Sequence, residues 1–203
     1  MSTKKALLVV DVQRDFVEGG SLGVDGGKVV ASAVNSYLLD HAHEYEVVAA
    51  SRDFHRPDED NGGHFAAPGT DPDYASTWPV HCVAGTPGAE YAEGLDTSLI
   101  GVHVIKGMGE PAYSAFEGVT DDSSGRKLSD VLVSAGIERL DVVGIATDYC
   151  VKASVHDALA AGLDVYVYSD MVAGVAPAST LDAINEMVCA GAVYCASVIE
   201  DEQ

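Results

Sequence analysis

Basic residues are scarce in this chain. Its 203 residues contain 11 lysines and arginines against 32 aspartates and glutamates, which gives a formal net charge of −21. A chain this acidic repels nucleic acid and anionic membranes, so we expect neither as a partner. The acidic residues are dispersed rather than gathered in a tail, which is typical of a solvated surface.

Long apolar runs are also missing. No run approaches the roughly 18–20 apolar residues that a membrane span requires. The first residues, Met1–Lys5, are short and polar and lead directly into an apolar run, which is unlike a signal peptide. We therefore expect a cytoplasmic protein.

Two common motifs are absent. The four cysteines, Cys82, Cys150, Cys189 and Cys195, include no C-x-x-C pair, and the chain is too large for a small disulfide-stapled domain. The turn after the first apolar run reads Asp-Val-Gln-Arg-Asp-Phe. It lacks G-x-G-x-x-G, which argues against a dinucleotide-binding domain.

Short Val-rich runs alternate with helix-like stretches. This pattern predicts an α/β fold, a three-layer αβα sandwich with a mostly parallel central sheet, in a single domain over residues 1–203. The predicted strands are Ala6–Val10, Glu46–Ser51, Val102–Ile105, Leu140–Ile145, Asp164–Tyr168 and the weaker Ala192–Tyr194. The predicted helices are Lys28–His43, Leu128–Ala135, Asp148–Ala161 and Ala178–Ala190.

Four of the predicted strands deliver a polar residue at or just beyond their carboxyl ends, namely Asp11, Asp53, Lys106 and Cys150. Ligands of open α/β sheets bind at this edge. Taken singly, Asp11 could cap a helix or bind magnesium, Lys106 could be a solvated lysine and Cys150 a buried small hydrophobe. Their shared edge favours a joint catalytic role.

Cys150 is placed to act as a nucleophile. It falls in the first turn of the helix predicted to follow the fourth of these strands, where the helix dipole favours the thiolate. A neighbouring Lys106 would lower the thiol pKa further. Asp11 could accept the thiol proton and later return it to a leaving amine.

An irregular stretch of about residues 52–98 interrupts the alternation. It contains Asp53, His55, His64 and His81, a set of nitrogen and oxygen ligands that suits zinc, iron or manganese. Alternatively, the histidines only cap loops or face solvent. Cys82 beside His81 could add a ligand, but a packed loop cysteine is the simpler interpretation.

The chain resembles the nicotinamidases (pyrazinamidases) of the isochorismatase-like cysteine hydrolases over nearly its whole length. The motifs that carry the resemblance are Asp11-Val12-Gln13-Arg14-Asp15-Phe16, Gly19-Gly20-Ser21-Leu22, Asp53-Phe54-His55, His64, Trp78-Pro79-Val80-His81-Cys82, Gly85-Thr86-Pro87-Gly88-Ala89, Lys106-Gly107, Tyr113-Ser114-Ala115-Phe116-Glu117-Gly118 and Gly144-Ile145-Ala146-Thr147-Asp148-Tyr149-Cys150-Val151. One departure is Tyr149, where many members carry histidine; we expect it to change the pocket lining only.

The resemblance implies a specific site and reaction. Nicotinamide would be hydrolysed to nicotinate and ammonia through a cysteine thioester, and pyrazinamide likewise, in NAD salvage. Homo-oligomers are left open. The implied residues are the triad Asp11, Lys106 and Cys150, a cis peptide between Ile145 and Ala146 that points an N–H at the oxyanion, substrate contacts from Phe16, Trp78 and Tyr113, and one divalent metal ion (zinc, iron or manganese) on Asp53, His55, His64 and His81.

Three other interpretations stay open at this point. A related cysteine amidohydrolase could act on another small amide or on a carbamoyl compound. Isochorismatase activity itself is disfavoured by the histidine-containing insert. A non-enzymatic metal store or thiol sensor would use Cys82 and Cys150 without releasing ammonia.

Overall fold

The computed structural model describes residues 3–197. Its strands are β1 (Lys5–Val10), β2 (Val47–Asp53), β3 (Val102–Lys106), β4 (Val119–Thr120), β5 (Arg139–Ile145), β6 (Asp164–Ala173) and β7 (Val193–Cys195). The α-helices are α1 (Gly27–His41), α2 (Leu128–Ala135), α3 (Lys152–Ala160) and α4 (Pro177–Ala190). Short 3₁₀ turns lie at Arg14–Phe16, Ala42–Glu44, Pro87–Ala89 and Thr97–Leu99.

The strands form one seven-stranded sheet in the order β4-β3-β2-β1-β5-β6-β7. Every neighbouring pair is parallel except β3 and β4. Strand β1 is almost entirely buried and lies at the centre, between β2 and β5. The carboxyl ends of β3, β2, β1 and β5 therefore adjoin one another at one edge.

Helices cover both faces of the sheet. On one face, Val30, Val34 and Leu38 of α1 pack into a core with alternate residues of β1 and β5. On the other face, α2, α3 and α4 contribute to a second core, for example through Leu132 and Met187. The predicted three-layer α/β architecture is confirmed.

Several boundaries differ from the sequence-based prediction. Strand β6 runs on to Ala173, five residues past the predicted end at Tyr168, because its pairing with β5 resumes at Val172 and Ala173 after a bulge. The two-residue strand β4 was not predicted. The predicted helix over Asp148–Ala161 begins instead as a π-helical turn, Thr147–Val151, followed by α3.

The insert between β2 and β3 is ordered by its own contacts. His55 bridges to Val83, and Phe65 bridges to Trp78. These bridges fold the stretch back on itself above the carboxyl edge of the sheet. Within residues 3–197, no helix combines the length and the apolar character needed to cross a membrane.

Candidate active site

The four polar residues predicted at strand ends come together. The Lys106 ammonium lies 2.9 Å from a carboxylate oxygen of Asp11, also contacts Asp53, and is 3.5 Å from the sulfur of Cys150. A carboxylate oxygen of Asp11, one of Asp53 and the Cys150 sulfur all lie within 4.8 Å of one another. Adjacent parallel strands bring residues far apart in sequence to one point.

Lys106 is buried between two carboxylates. Burial alone would favour its neutral form, but the charges of Asp11 and Asp53 outweigh that effect and raise the pKa of Lys106 well above its usual value. The lysine is therefore a fixed cation.

The thiol of Cys150 is less acidic than the sequence suggested. Burial raises its pKa well above the ordinary value, and although Lys106 lowers it, Asp11 and Asp53 raise it again. The expectation of a net lowered pKa is wrong, because burial of the thiol outweighs the effect of Lys106, which the charges of Asp11 and Asp53 also oppose. A base is therefore required to ionise this thiol.

Asp11 is equipped to be that base. Burial raises the pKa of its carboxyl, Lys106 opposes this, and Asp53 adds to it. Ser51 donates a hydrogen bond of 2.7 Å to Oδ1 and fixes the carboxylate. The Asp11 backbone is left-handed (φ 47°), an uncommon conformation outside glycine that aspartate tolerates and that is frequent at functional sites.

The three histidines of the insert form a buried cluster. A ring nitrogen of each of His55, His64 and His81 lies within 4.8 Å of one from the others. Asp53 adjoins two of them: its Oδ2 is 3.7 Å from His55 Nε2 and 3.6 Å from His81 Nε2. The structure thus brings the predicted ligand set together, with Asp53 also contacting Lys106 through its other oxygen.

The hydrogen bonds of this cluster suit a metal ion. His55 Nδ1 donates to the carbonyl of Gly107 at 2.8 Å and His81 Nδ1 to that of Pro79 at 2.7 Å, which leaves the Nε2 atom of each ring available as a metal ligand. Within the described residues, buried His55 Nε2 and His64 Nδ1 have no hydrogen-bond partner. Burial and the neighbouring His55 lower the pKa of His64 to about 3, so its ring is neutral, as a ligand must be.

Gly107 allows the histidine cluster to reach the triad. Its φ of 76° favours glycine, and a Cβ there would lie 2.6 Å from the His55 ring. The residue after the buried lysine must therefore be glycine for His55 to bond its carbonyl.

Aromatic side chains enclose the space beside Cys150. Phe16 and Trp78 are buried, and the Trp78 indole donates to the Tyr113 hydroxyl at 2.9 Å. The predicted substrate-contact residues thus line one cavity. Its full lining is Phe16, Leu22, Val24, Asp53, His64, Trp78, His81, Tyr113, Ala146, Tyr149, Cys150 and Val175.

The peptide bond between Ile145 and Ala146 is cis. Ala146 lines the cavity, whereas Ile145 is fully buried and does not. The Ala146 carbonyl accepts hydrogen bonds from the amides of Tyr149 and Val151, which forms the turn that carries Cys150.

Two positioning residues were missed by the sequence analysis. Fully buried Gln13 accepts a hydrogen bond from the Asp53 amide and donates to the Asp53 carbonyl, all at 2.8 Å. Fully buried Asn61 accepts from the amides of Arg56 and Gly109, linking the insert to the segment after Lys106. Gln13 lies inside the Asp11–Phe16 motif, which was a usable sequence signal, whereas no sequence signal pointed to Asn61.

Comparison with known proteins agrees with this geometry. Residues 5–200 match the isochorismatase domain family. The chain belongs to the isochorismatase family. This family assignment covers nearly the whole chain.

Individual members narrow the comparison. Nicotinamidase/pyrazinamidase of Mycobacterium tuberculosis is 49% identical over 90% of this chain and 94% of its own length. Escherichia coli nicotinamidase is 36% identical over 93% of this chain and 92% of its own length. The crystal structure of Pyrococcus horikoshii pyrazinamidase in complex with zinc superposes with a TM-score of 0.79 at 34% identity, covering 95% of this chain and 99% of that one.

Proposed function

We propose that this protein is a nicotinamidase that hydrolyses nicotinamide to nicotinate and ammonia, and also accepts pyrazinamide. The observation that carries the proposal is the buried Asp11–Lys106–Cys150 cluster opening into an aromatic cavity. A relative of the chain, PnC1 from L. infantum, has been crystallised in complex with nicotinate and is 32% identical with a TM-score of 0.79 over 97% of this chain and 94% of that one.

The first half of the reaction uses the raised pKa of Asp11. Asp11 takes the proton of the Cys150 thiol, and Lys106 stabilises the thiolate across 3.5 Å. The thiolate attacks the carboxamide carbon, and we assign the backbone N–H groups of Ala146 and Cys150 to the developing oxyanion. The carbon–nitrogen bond then breaks, and the amine leaves as ammonia with the proton from Asp11.

The second half releases the acid. A water molecule gives its proton to the carboxylate of Asp11 and attacks the thioester carbon. The carbon–sulfur bond breaks, Cys150 recovers its proton from Asp11, and the carboxylic acid that forms gives its remaining hydroxyl proton to solvent and leaves as nicotinate. Lys106 stays protonated throughout because its pKa is raised.

The residues that would hold a divalent metal are Asp53, His55, His64 and His81. A bound zinc, iron or manganese ion would supply a Lewis acid that binds the pyridine nitrogen of the substrate. The chain itself provides the ring's other contacts, with Phe16 and Trp78 as walls for stacking and Tyr113 held by Trp78.

Cys150→Ala tests the proposal directly. The variant should fold and bind nicotinamide but lose several orders of magnitude in ammonia release, because it lacks the nucleophile. A variant that keeps a tenth of the wild-type rate would show that no covalent step occurs.

Substrate choice gives a second test. Nicotinamide and pyrazinamide place a ring nitrogen meta to the carboxamide, whereas benzamide has none and picolinamide has one only in the ortho position. The last two should be poor substrates, since a displacement of about 1 Å can cost on the order of 100-fold. Equal rates for benzamide and nicotinamide would rule out recognition of the ring nitrogen.

Two further assignments belong to the proposal. Residues 1–203 act as one domain, with the metal-binding insert at about 52–98. The enzyme works in the cytoplasm on a small pyridine amide, in NAD salvage.

A further inference from the structure

The loop of residues 66–77, called here the Tyr74 loop, stands out from the insert. It is closed at its base, where the Ala66 amide donates to the Trp78 carbonyl and the Trp78 amide donates to the His64 carbonyl, both at 2.9 Å. Its tip is a tight turn in which Asp73 accepts hydrogen bonds from the three amides that follow Tyr74. The loop is thus an internally bonded unit.

One side chain ties this unit to the body of the protein. The Tyr149 hydroxyl donates to the Tyr74 carbonyl at 3.1 Å. Apart from the bonds at its base, this is the hydrogen bond that joins the Tyr74 loop to the rest of residues 3–197. The other hydrogen bonds of the loop connect its own residues to one another. The expectation that Tyr149 changes only the pocket lining was therefore incomplete.

The same tyrosine supports the cavity wall. Its ring meets Trp78 edge-on, with centroids 4.8 Å apart, and stacks on Tyr113 at 6.1 Å. Tyr74 meets the same indole edge-on at 6.2 Å. Because Trp78 ends the loop and also walls the cavity, movement of the loop moves the wall.

The cavity is narrow. Its volume of about 30 Å³ is about two to three times the roughly 10–15 Å³ that a single water requires by the same measure. A pyridine carboxamide is several times larger than a water molecule, so we expect Trp78 and its neighbours to shift when it enters. The Tyr74 loop is the exposed segment next to them, and beyond its base it is held by one hydrogen bond, from Tyr149, and by the edge-on contact of Tyr74 with Trp78.

We propose that Tyr149 is a positioning residue whose hydroxyl latches the Tyr74 loop against the cavity, and so sets access to Cys150 and the affinity for the amide. The role in affinity rests on the proposed function; the role in access does not. A neutral hydrogen bond of this kind shifts an equilibrium between loop positions by about 2- to 10-fold. The hydroxyl thus favours the closed loop by that factor.

Tyr149→Phe removes the hydroxyl and keeps the ring. Iodoacetamide should then alkylate Cys150 about 2- to 10-fold faster, measured on the Cys150 peptide by mass spectrometry, with the same midpoint in the pH profile. The KM for nicotinamide should rise by a similar factor with kcat within about two-fold. Chymotrypsin should also cleave after Tyr74 faster in the folded variant.

Tyr37→Phe is the matched control. It removes a tyrosine–tyrosine hydrogen bond of 2.7 Å, to Tyr45, at the opposite edge of the sheet, just before β2 begins. This variant should leave the alkylation rate, the KM and the cleavage after Tyr74 unchanged.

Two outcomes would overturn the latch. Alkylation and cleavage rates equal to wild type in Tyr149→Phe would show that the bond does not hold the loop. A shifted pH midpoint would show that the hydroxyl acts on the Cys150 thiol instead. If the wild type fails to hydrolyse nicotinamide, the proposed function fails, while the alkylation and cleavage rates still decide the latch.

Discussion

Replacing Gln13 by leucine should damage both stability and catalysis. The glutamine is fully buried, donates to the carbonyls of Asp53 (2.8 Å) and Ala89 (2.9 Å), and accepts from the Asp53 amide (2.8 Å). Gln13→Leu leaves three buried main-chain groups unpaired at about 1–3 kcal/mol each. Leucine regains some of this by apolar burial, so we expect a loss of about 3–5 kcal/mol in the free energy of unfolding.

This loss in the free energy of unfolding is measured by urea unfolding of the protein after a chelator has removed bound metal. Domains of this kind have about 5–15 kcal/mol of stability, so the variant should remain folded without urea. Asn35→Leu is the control, because Asn35 accepts one exposed hydrogen bond from the Asp96 amide and should cost under about 1 kcal/mol. A Gln13→Leu variant that unfolds within 1 kcal/mol of wild type would refute the reasoning.

Gln13→Leu should also lower catalytic activity, because Gln13 holds the backbone of Asp53. Gln13 fixes the backbone of the residue that contacts Lys106 and adjoins His55. A displacement of about 1 Å should lower kcat/KM on the order of 100-fold per folded molecule. A loss below three-fold would show that Asp53 is positioned without Gln13.

Gln13→Glu distinguishes shape from hydrogen bonding. The carboxyl keeps the size and the acceptor for the Asp53 amide, but it faces two carbonyls and must hold a proton. Its folded-state pKa is therefore raised above the unfolded value, and the free energy of unfolding should fall as pH rises through it. Stability independent of pH between about 4 and 8, relative to wild type, would contradict this arrangement.

Lys106→Ala should move the pH midpoint for alkylation of Cys150 upward, because Lys106 lowers the thiol pKa; an unchanged midpoint would exclude this role. His55→Ala should weaken zinc binding by at least ten-fold in a competition titration with a chelator, and equal affinity would exclude it as a ligand. Burial raises the pKa of Tyr45 and of Tyr168 above that of an exposed tyrosine, so the unfolded chain ionises first and each contributes a fall of about 1.4 kcal/mol per pH unit in the free energy of unfolding above about pH 10. Tyr45→Phe should make that slope shallower by about this amount, and an unchanged slope would contradict it. The melting temperature should fall when salt drops from 0.1 M to 0.01 M, since the Debye length grows from about 10 Å to about 30 Å and the net charge is −21; salt-independent melting would count against self-repulsion.

The sequence was informative where a residue's role depends on its position along a strand. Asp11, Asp53 and Lys106 follow buried runs, and parallel strands place such residues together at one edge. The layer architecture followed from the alternation of apolar runs and helices. These inferences need only local pattern and the topology rules of open sheets.

What the sequence could not predict depends on long-range partners. The acidity of Cys150 is set by the burial of its thiol and by the two carboxylates that share Lys106, which only the packed structure reveals. Asn61 accepts from Gly109, and Tyr149 donates to Tyr74, across stretches with no periodic signal. Such contacts join segments whose relative placement is fixed only after the sheet has formed.

The interleaved strand order has a consequence for refolding. The candidate catalytic groups lie at the ends of β1 and β3 and just after β5. Strand β5 pairs directly with β1, whereas β2 and β3, which precede β5 in the chain, lie on the opposite side of β1. Pairing β1 with β5 closes a long loop, so conformational entropy is lost before the contacts between the two strands stabilise the structure. Recovery of hydrolytic activity after dilution from urea should therefore lag behind the return of helical circular dichroism, and activity recovery would report the last long-range step of folding.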